Sequence, residues 1–157
     1  MQRKPVKRSE QLTPLSREHH DALLFVWKLN EGLKKNIEVD RIRNYVSWFW
    51  ENHLKHHFRE EERLLLPKFP KQDPLAEQLF TDHENIRRLL SGEIDHQAIA
   101  ELAKDLNDHV RFEERIFFPH AEERLTTAEL DEIFTELEKS PHCTDGWNDQ
   151  FWLANNS

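Results

Sequence analysis

One pattern of eleven residues occurs twice in this chain of 157 residues. Residues 57–67 and residues 109–119 both read His, three further residues, Glu-Glu-Arg, three apolar residues and Pro. On an α-helix, residues four apart lie one above the other on the same face. Each copy therefore presents an imidazole and a carboxylate in one direction. We expect two such helices to face each other across a shared site for two metal ions.

The composition favours helix along the whole chain. The chain has only 3 Gly, 33% of its residues are charged, and long runs contain no helix breaker. No segment alternates apolar and polar residues as a half-exposed strand would. A chain of this length hides roughly 70% of its unfolded surface, which is enough for one core. The predicted fold class is therefore all-α, with a single domain.

Caps and prolines divide the chain into four long helices and a shorter fifth. The predicted helix starts are Thr13, Asp40, Asp73, Asp95 and Thr126. The second helix is expected to end before Pro67 and the fourth at Pro119, since proline breaks a helix. Short connections between long helices imply antiparallel neighbours. The expected architecture is an up-down-up-down four-helix bundle.

Three regions follow from this division. Residues 1–12 form a basic N-terminal arm that is expected to be disordered, and residues 13–122 form the four-helix bundle. Residues 123–157 form a C-terminal helix and tail that pack on the bundle. The tail is polar with scattered aromatic side chains. We expect these side chains to dock either across the bundle or across a second subunit of a homodimer.

Charge and cysteine content exclude several classes of partner. The net charge of -8 and the pI near 5.7 argue against a nucleic-acid surface. No apolar run approaches membrane-spanning length, and no cleavable signal precedes Thr13. The single cysteine, Cys143, excludes an internal disulfide and suits a reducing compartment. The expected location is the cytoplasm, with no membrane and no nucleic-acid partner.

Each half of the chain carries one more histidine that fits the repeat. His20 lies three residues before Leu23, and His83 lies three residues before Ile86. The order along the chain is thus His, His-x-x-x-Glu, His, His-x-x-x-Glu, as in a duplicated helix hairpin with its ligands facing inward. His19 competes with His20, and the parallel with His83 favours His20.

These residues resemble the hemerythrin-like HHE cation-binding family over roughly residues 12–120. The specific part of the resemblance is a set of six residues: His20, His57, Glu61, His83, His109 and Glu113. The resemblance implies a four-helix bundle that holds two non-haem iron ions joined by an oxo or hydroxo bridge. It also implies that Glu61 and Glu113 bridge the metals while the histidines complete the coordination. Ferritin-like di-iron proteins differ, because their helices present Glu-x-x-His.

The implied donor set leaves room for a small ligand. Four histidines and two bridging glutamates supply about eight bonds, and an oxo or hydroxo bridge adds about two, out of about twelve for an octahedral pair. The dioxygen-carrying hemerythrins have a fifth histidine on the third helix, as His-x-x-x-His. This chain has Arg87 four residues after His83, which argues against reversible oxygen carriage. His53 is the candidate replacement ligand. The alternative is that His53 supports the ligands from behind or is an ordinary histidine of the core.

The residues beside the repeated motif receive simpler interpretations. Glu62 and Glu114 follow the paired glutamates and are expected to point elsewhere, in salt bridges with Arg63 or Arg115. Trp27 and the other large aromatic side chains are expected to form core and to keep the site dry.

Three functions remain open from the sequence. The leading hypothesis is a cytoplasmic di-iron protein that binds a small diatomic ligand, dioxygen or nitric oxide, for sensing, storage or iron handling. The second is a di-iron enzyme for peroxide or nitric oxide detoxification or for iron-centre repair. The third is a bundle that binds zinc or manganese structurally, or binds no metal. Whether the chain is an enzyme is left open.

Overall fold

A computed structural model describes residues 8–139 and 146–154, which form an all-α up-down-up-down four-helix bundle with a short C-terminal helix. Helices α1, α3 and α5 cover Thr13–Lys34, Pro74–Ser91 and Thr127–Glu138. Helix α2 is built from the consecutive segments Val39–Phe49, Trp50–Leu54, Lys55–Glu60 and Glu61–Leu65. Helix α4 is built from His96–Phe112, Glu113–Phe117 and Phe118–Arg124. Single 3-10 turns occupy Glu10–Leu12, Leu66–Lys68 and Phe151–Leu153. The predicted fold class is confirmed.

Most predicted helix caps are present in the structure. Asp73 accepts hydrogen bonds from the first turn of α3, Asp95 accepts one from the first turn of α4, and Thr126 begins α5 with a capping box. Two residues that we predicted as N-caps, Thr13 and Asp40, lie inside their helices instead. Asp40 lies within the first turn of α2, and Thr13 is the first residue of α1, because a 3-10 turn leads the chain into that helix.

Helices α2 and α4 widen at the same point of the repeated pattern. Glu61–Leu65 and Glu113–Phe117 are both π-helical, so a backbone N–H bonds the carbonyl five residues before it. Pro67 and Pro119 each lie two residues after the end of these segments, and a proline ring clashes with the carbonyl four residues before it. The prediction that the fourth helix ends at Pro119 is wrong. The helix continues to Arg124, because proline is tolerated in the first turn of its last segment.

The interior contains two hydrophobic clusters with a polar layer between them. The first cluster lies toward the C-terminal tail and includes Phe25, Phe49 and Phe58. The second lies at the other end of the bundle and includes Leu15 and Phe117. Along α1 and α3, one inward-facing histidine separates the residues of the two clusters, and along α2 and α4 the change from one cluster to the other occurs at the His-x-x-x-Glu pair. The polar layer is therefore covered by apolar side chains on both sides.

Several apolar residues of the bundle helices are exposed, including Trp27, which we expected in the core. Leu23, Trp27 and Ile116 have 40%, 48% and 49% of their surface in solvent. Leu23 and Trp27 lie one turn apart on the same face of α1. This outward face of α1 becomes important for choosing between the adjacent histidines 19 and 20.

The C-terminal elements cover both ends of the bundle. Helix α5 adds Leu130, Ile133 and Leu137 to the second cluster. The tail adds Phe151 and Trp152 to the first cluster, so residues 146–154 dock on their own bundle. The predicted homodimer therefore gains no support from the tail.

The described part of the N-terminal region also packs on the bundle. Residues 1–7 lie outside the described residues, as does Cys143. Residues 8–12, which we assigned to a disordered arm, form an ordered segment in which Leu12 is fully buried. Its apolar side chain belongs to the second cluster. None of the helices in the described residues is both long and apolar enough to cross a membrane.

Candidate metal centre

Six buried histidine and glutamate side chains meet in the polar layer, and all four bundle helices contribute. Helix α1 supplies His19, α2 supplies His57 and Glu61, α3 supplies His83, and α4 supplies His109 and Glu113. The side chains form two groups, and within each group the potential ligand atoms lie within 4.8 Å of one another. One group is His19, His57, Glu61 and Glu113, and the other is Glu61, His83, His109 and Glu113. The two glutamates are shared by both groups.

Each histidine directs its Nε2 atom toward one of the shared glutamates. His83 Nε2 lies 3.1 Å from Glu61 Oε1, and His109 Nε2 lies 2.5 Å from Glu113 Oε1. On the other side, His57 Nε2 lies 3.5 Å from Glu61 Oε2, and His19 Nε2 lies 3.5 Å from Glu113 Oε1. The distances from histidine Nε2 to glutamate oxygen are thus shorter in the group containing His83 than in the group containing His19.

Of the two adjacent histidines of α1, the structure brings His19, and not the predicted His20, to the other candidate ligands. His20 is exposed, whereas only 3% of His19 is accessible. Successive residues of a helix point about 100° apart, so only one of the two can face inward. The buried face of α1 contains Leu15 and Ala22, which lie four residues before and three residues after His19. His20 was chosen by its spacing from Leu23, which itself faces solvent.

A carboxylate faces the Nδ1 atom of every one of the four histidines. The Nδ1 contacts are His19 to Glu114 at 2.9 Å, His57 to Glu18 at 3.3 Å, His83 to Glu62 at 2.6 Å, and His109 to Asp82 at 2.9 Å. Such a partner fixes the tautomer and the ring orientation of a metal-binding histidine, and it makes the ligand more basic. The arrangement leaves Nε2 as the atom available to a metal ion.

The role of these four carboxylates was not predicted from the sequence. We expected Glu62 and Glu114 to form salt bridges with Arg63 or Arg115, but Arg63 pairs with Glu60 and Glu136 instead. The sequence did contain a signal, because each of these carboxylates is a direct neighbour in sequence of a candidate ligand. An acidic residue precedes each of the histidines on α1 and α3, and an acidic residue follows each of the shared glutamates. Each carboxylate contacts a histidine of a different helix, and sequence spacing does not show which helices lie side by side.

Without a metal, the pKa values of the buried groups at the centre shift in different directions. Burial and the neighbouring Glu113 raise the pKa of Glu61 well above its usual range. Burial also opposes a charge on Glu113, but His109 outweighs this and lowers the pKa of Glu113. Burial disfavours a charged His109, yet Glu113 raises the pKa of His109 to about 10. Burial lowers the pKa of His83 to about 4. In the metal-free centre, these pKa shifts favour the neutral forms of Glu61 and His83 and an ion pair between Glu113 and His109.

The two remaining histidines also hold protons more tightly than usual. Burial opposes a charge on His19 and on His57, but Glu113 raises the pKa of the first and Glu18 raises the pKa of the second. Metal ions require deprotonated ligands, so binding would displace these protons. Protons and metal ions thus compete for the ligand atoms of the site.

Several buried polar atoms at the centre are available to metal ions. Nε2 of His19, Nε2 of His57, Oε2 of Glu61 and Oε2 of Glu113 have no hydrogen-bond partner within the described ranges. A buried polar atom left without a partner costs about 1–3 kcal/mol. A pair of cations between the two groups would satisfy all four atoms at once. The donor set and its geometry therefore fit two metal ions.

His53 and Arg87 lie outside both groups of potential ligands. His53 is fully buried, but its Nε2 atom lies 3.6 Å from Asp21, and its ring stacks on Phe49 at 4.6 Å between centroids. Arg87 pairs with Glu62 at 2.7 Å. Neither side chain therefore adds a ligand atom to the two groups.

Aromatic rings cover the histidines and keep the centre apolar. Phe58 stacks on His83 with 3.8 Å between centroids, and Phe118 stacks on His19 with 5.4 Å. The two hydrophobic clusters extend above and below. In such a low-dielectric environment, charged and coordinating interactions are stronger than they are in water.

Comparison with known proteins identifies the family. A search of curated proteins and a search of solved structures each returned no match. A family model described as the hemerythrin HHE cation binding domain matches residues 10–121. The matched region contains all six inward-facing residues and the four carboxylates that hold the histidines. The chain therefore belongs to the hemerythrin family of HHE cation-binding domains.

Proposed function

We propose that this chain binds two iron ions between its four helices and uses them to bind a small diatomic ligand, dioxygen or nitric oxide. The observation that carries the proposal is that two pairs of histidines share the same two buried glutamates. Shared carboxylates hold two cations close together and cancel part of their combined charge. Separate mononuclear sites would need no such sharing.

The donor atoms suit iron. Each position offers two imidazole nitrogens and oxygens from two carboxylates. Imidazole and carboxylate ligands with open positions are typical of non-haem iron sites. Four histidines and two bridging carboxylates leave roughly four of about twelve octahedral positions for a bridging oxygen and for a small ligand. When bound, a pair of ferrous ions would supply the open, redox-active positions that such a ligand needs.

The protein side chains would orient the ligands and exclude water. The carboxylates of Glu18, Glu62, Asp82 and Glu114 hold the four imidazoles by their Nδ1 atoms. Phe58 and Phe118 cover two of the rings. An uncharged diatomic molecule can cross such apolar walls more readily than a charged solute can. We place this chemistry in the cytoplasm, since the only cysteine suits a reducing compartment.

Metal analysis of protein purified without air tests the proposal. We expect about two irons per chain and a change in the optical spectrum when dioxygen or nitric oxide is added. Reversal under vacuum would favour storage or transport, and irreversible oxidation would favour sensing. Glu61→Ala and Glu113→Ala should each lose both irons, since each removes a shared ligand. His20→Ala is the matched control that should keep them. Zinc in place of iron, or no metal, would contradict the proposal.

The third helix gives one argument for an enzyme as the second candidate. Arg87 lies four residues after His83, and its guanidinium binds Glu62 instead of adding a ligand. Coordination positions that stay open favour peroxide or nitric oxide chemistry over reversible oxygen binding. Catalytic consumption of peroxide or nitric oxide by the iron-loaded chain, lost in Glu61→Ala, would support the enzyme over the binding protein.

A further inference from the structure

Arg87 belongs to an arrangement of four side chains around one of the histidines. Its Nη2 atom lies 2.7 Å from Glu62, and the same carboxylate lies 2.6 Å from Nδ1 of His83. Its guanidinium carbon lies 5.8 Å from the centroid of Phe58, and that ring stacks on His83. The arginine therefore holds both the carboxylate that orients the histidine and the ring that covers it.

Arg8 makes the same arrangement around His19. Its guanidinium lies 3.7 Å from the carboxylate of Glu114, whose other oxygen lies 2.9 Å from Nδ1 of His19. It also donates a hydrogen bond to the backbone carbonyl of Glu114. The guanidinium carbon lies 5.1 Å from the centroid of Phe118, and Phe118 stacks on His19. Guanidinium, phenyl ring, imidazole and carboxylate thus occur together twice.

The second occurrence does not follow from the internal repeat. Glu62 and Glu114 occupy equivalent positions, but the equivalent of Arg87 on α1 is Leu23, four residues after His19, and Leu23 is exposed. The guanidinium at His19 comes instead from the segment before α1. Two different parts of the chain therefore supply a guanidinium to equivalent histidines. This recurrence argues that the guanidinium has a role at the centre.

The segment that carries Arg8 is fixed to the bundle by contacts of its own. Arg8 forms a second ion pair with Glu122 at 2.8 Å, and the backbone N–H of Ser9 donates to the same carboxylate. Leu12 is fully buried in the second hydrophobic cluster. Only 11% of the Arg8 side chain is accessible, against 28% of Arg87. Arg8 is thus the more deeply held of the two arginines.

We propose that Arg8 and Arg87 are positioning residues for the two metal positions, and that the position built on His19 depends on the N-terminal segment of residues 8–12. Each arginine keeps a partly exposed carboxylate on Nδ1 of its histidine, so that Nε2 stays directed at the metal. The position built on His83 is set within the bundle alone. This inference rests on the proposed function, because it requires two bound metal ions.

The test is a titration of the full chain with Co²⁺ against a competing chelator. We expect two binding steps for the wild type. Arg8→Met should weaken one step about tenfold, in the range known for partners of metal-bound histidines, and Arg87→Met should weaken the other. The double variant should weaken both. Arg111→Met removes an exposed charge from α4 and is the control that should change neither step.

A spectroscopic measurement separates positioning from a general loss of stability. In the Co²⁺-loaded protein, proton NMR should show one shifted, exchangeable Nδ1–H signal for each bound histidine. Arg8→Met should speed solvent exchange of one signal, and Arg87→Met that of a different one. Arg8→Lys should restore slow exchange in part, because lysine keeps the charge but lacks the planar guanidinium.

The outcomes of these experiments are distinguishable. Wild-type chain that takes up fewer than two Co²⁺ ions would overturn the proposed function together with this inference. Normal two-step binding and unchanged Nδ1–H exchange in Arg8→Met would overturn the inference alone. Equal weakening of both steps by Arg8→Met would also overturn it, since the effect would then lack the predicted dependence on position.

Discussion

At the scale of single residues, the choice between His19 and His20 depends on the phase of α1. The sequence showed that one of two adjacent histidines faces the site, but it placed Leu23 in the core when the structure exposes it. A helix with apolar residues on more than one face leaves its phase ambiguous. Contacts with the other helices settle the phase, and one sequence does not contain them.

The first prediction compares these two histidines. His19→Ala should lower the metal content from about two ions per chain to about one or fewer, because it removes a nitrogen ligand. His20→Ala should leave the content unchanged, because its side chain is in solvent. Elemental analysis of both variants, purified side by side, checks this. A loss of metal in His20→Ala alone would refute the assignment.

The second prediction concerns the shared glutamates in the metal-free protein. Glu113→Gln should lower the free energy of unfolding by about 3 kcal/mol at pH 7, the low end for a broken buried ion pair, because the charged His109 loses Glu113 but keeps Asp82 on its Nδ1 atom. Glu61→Gln should change it by less than about 1 kcal/mol, because glutamine resembles the protonated acid that burial and Glu113 favour. Urea unfolding in the presence of a chelator measures both. Equal costs for the two variants would contradict the charge distribution described above.

At the scale of helices and turns, the starts of α3, α4 and α5 could be predicted from their caps, because capping depends on residues close in sequence. The widened turns could not. They depend on prolines several residues downstream and on side chains that must reach a common centre. The passage of α4 through Pro119 was missed for the same reason.

The third prediction concerns the cap of α3. Asp73→Ala should cost about 1 kcal/mol at pH 7, since Asp73 accepts two backbone N–H groups and contacts His120 at 2.8 Å. Burial opposes its ionisation, but the N–H of Ala76 and His120 lower the pKa of Asp73. A lowered pKa stabilises the fold above the unfolded value near pH 4, and the benefit disappears as the pH falls through the folded value.

Unfolding of the wild type and of Asp73→Ala from pH 7 to pH 2 checks this dependence. The difference between the two proteins should shrink below about pH 4. Asp40→Ala is the matched control. Asp40 lies in the first turn of α2 with 78% of its side chain exposed, so its removal should cost less than about 0.5 kcal/mol at any pH. A difference for Asp73→Ala that persists at pH 2 would contradict the role of its charge.

The fourth prediction concerns the contact between α1 and the tail. In an ordinary helix, Gly→Ala stabilises by about 1 kcal/mol. At Gly32, a Cβ atom would lie 2.8 Å from the ring of Phe151. Gly32→Ala should therefore destabilise the protein by about 1 kcal/mol or more, because the buried ring has to move.

The ring of Phe151 supplies the internal control for this prediction. In a Phe151→Ala background, itself about 3 kcal/mol less stable, Gly32→Ala should cost less than in the wild type, because the ring is gone and the end of the Ile42 side chain, 3.0 Å from the Cβ position, is left to shift. Thermal unfolding of the four proteins measures this difference. Stabilisation by Gly32→Ala in the wild-type background would show that the tail does not pack on α1 as described.

At the scale of the whole molecule, the fifth prediction links metal content to stability. Removal of metal by a chelator should leave the circular dichroism spectrum helical, because the two hydrophobic clusters do not depend on the metal. The melting temperature should fall, because ions that bind only the folded chain add their binding free energy to its stability. An unchanged melting temperature, or complete unfolding, would refute this link.

The fold class and the family could be predicted from the sequence because the repeated motif encodes both the helices and their inward faces. Contacts between distant segments could not be predicted. Arg8 reaches Glu114, and Phe151 reaches Gly32, across more than a hundred residues in each case. No local pattern marks either pair, and both depend on the completed bundle.

The family match ends at residue 121, yet the chain beyond it covers both apolar ends of the bundle. Helix α5 covers one end, and Phe151 and Trp152 cover the other. The cooperative folding unit is therefore longer than the segment that carries the family resemblance. A fragment trimmed to residues 10–121 would retain every candidate ligand and every orienting carboxylate, but it would expose the apolar side chains at both ends of the bundle to solvent and to neighbouring molecules. The segment that the family model matches is therefore shorter than the part of the chain that builds the hydrophobic core.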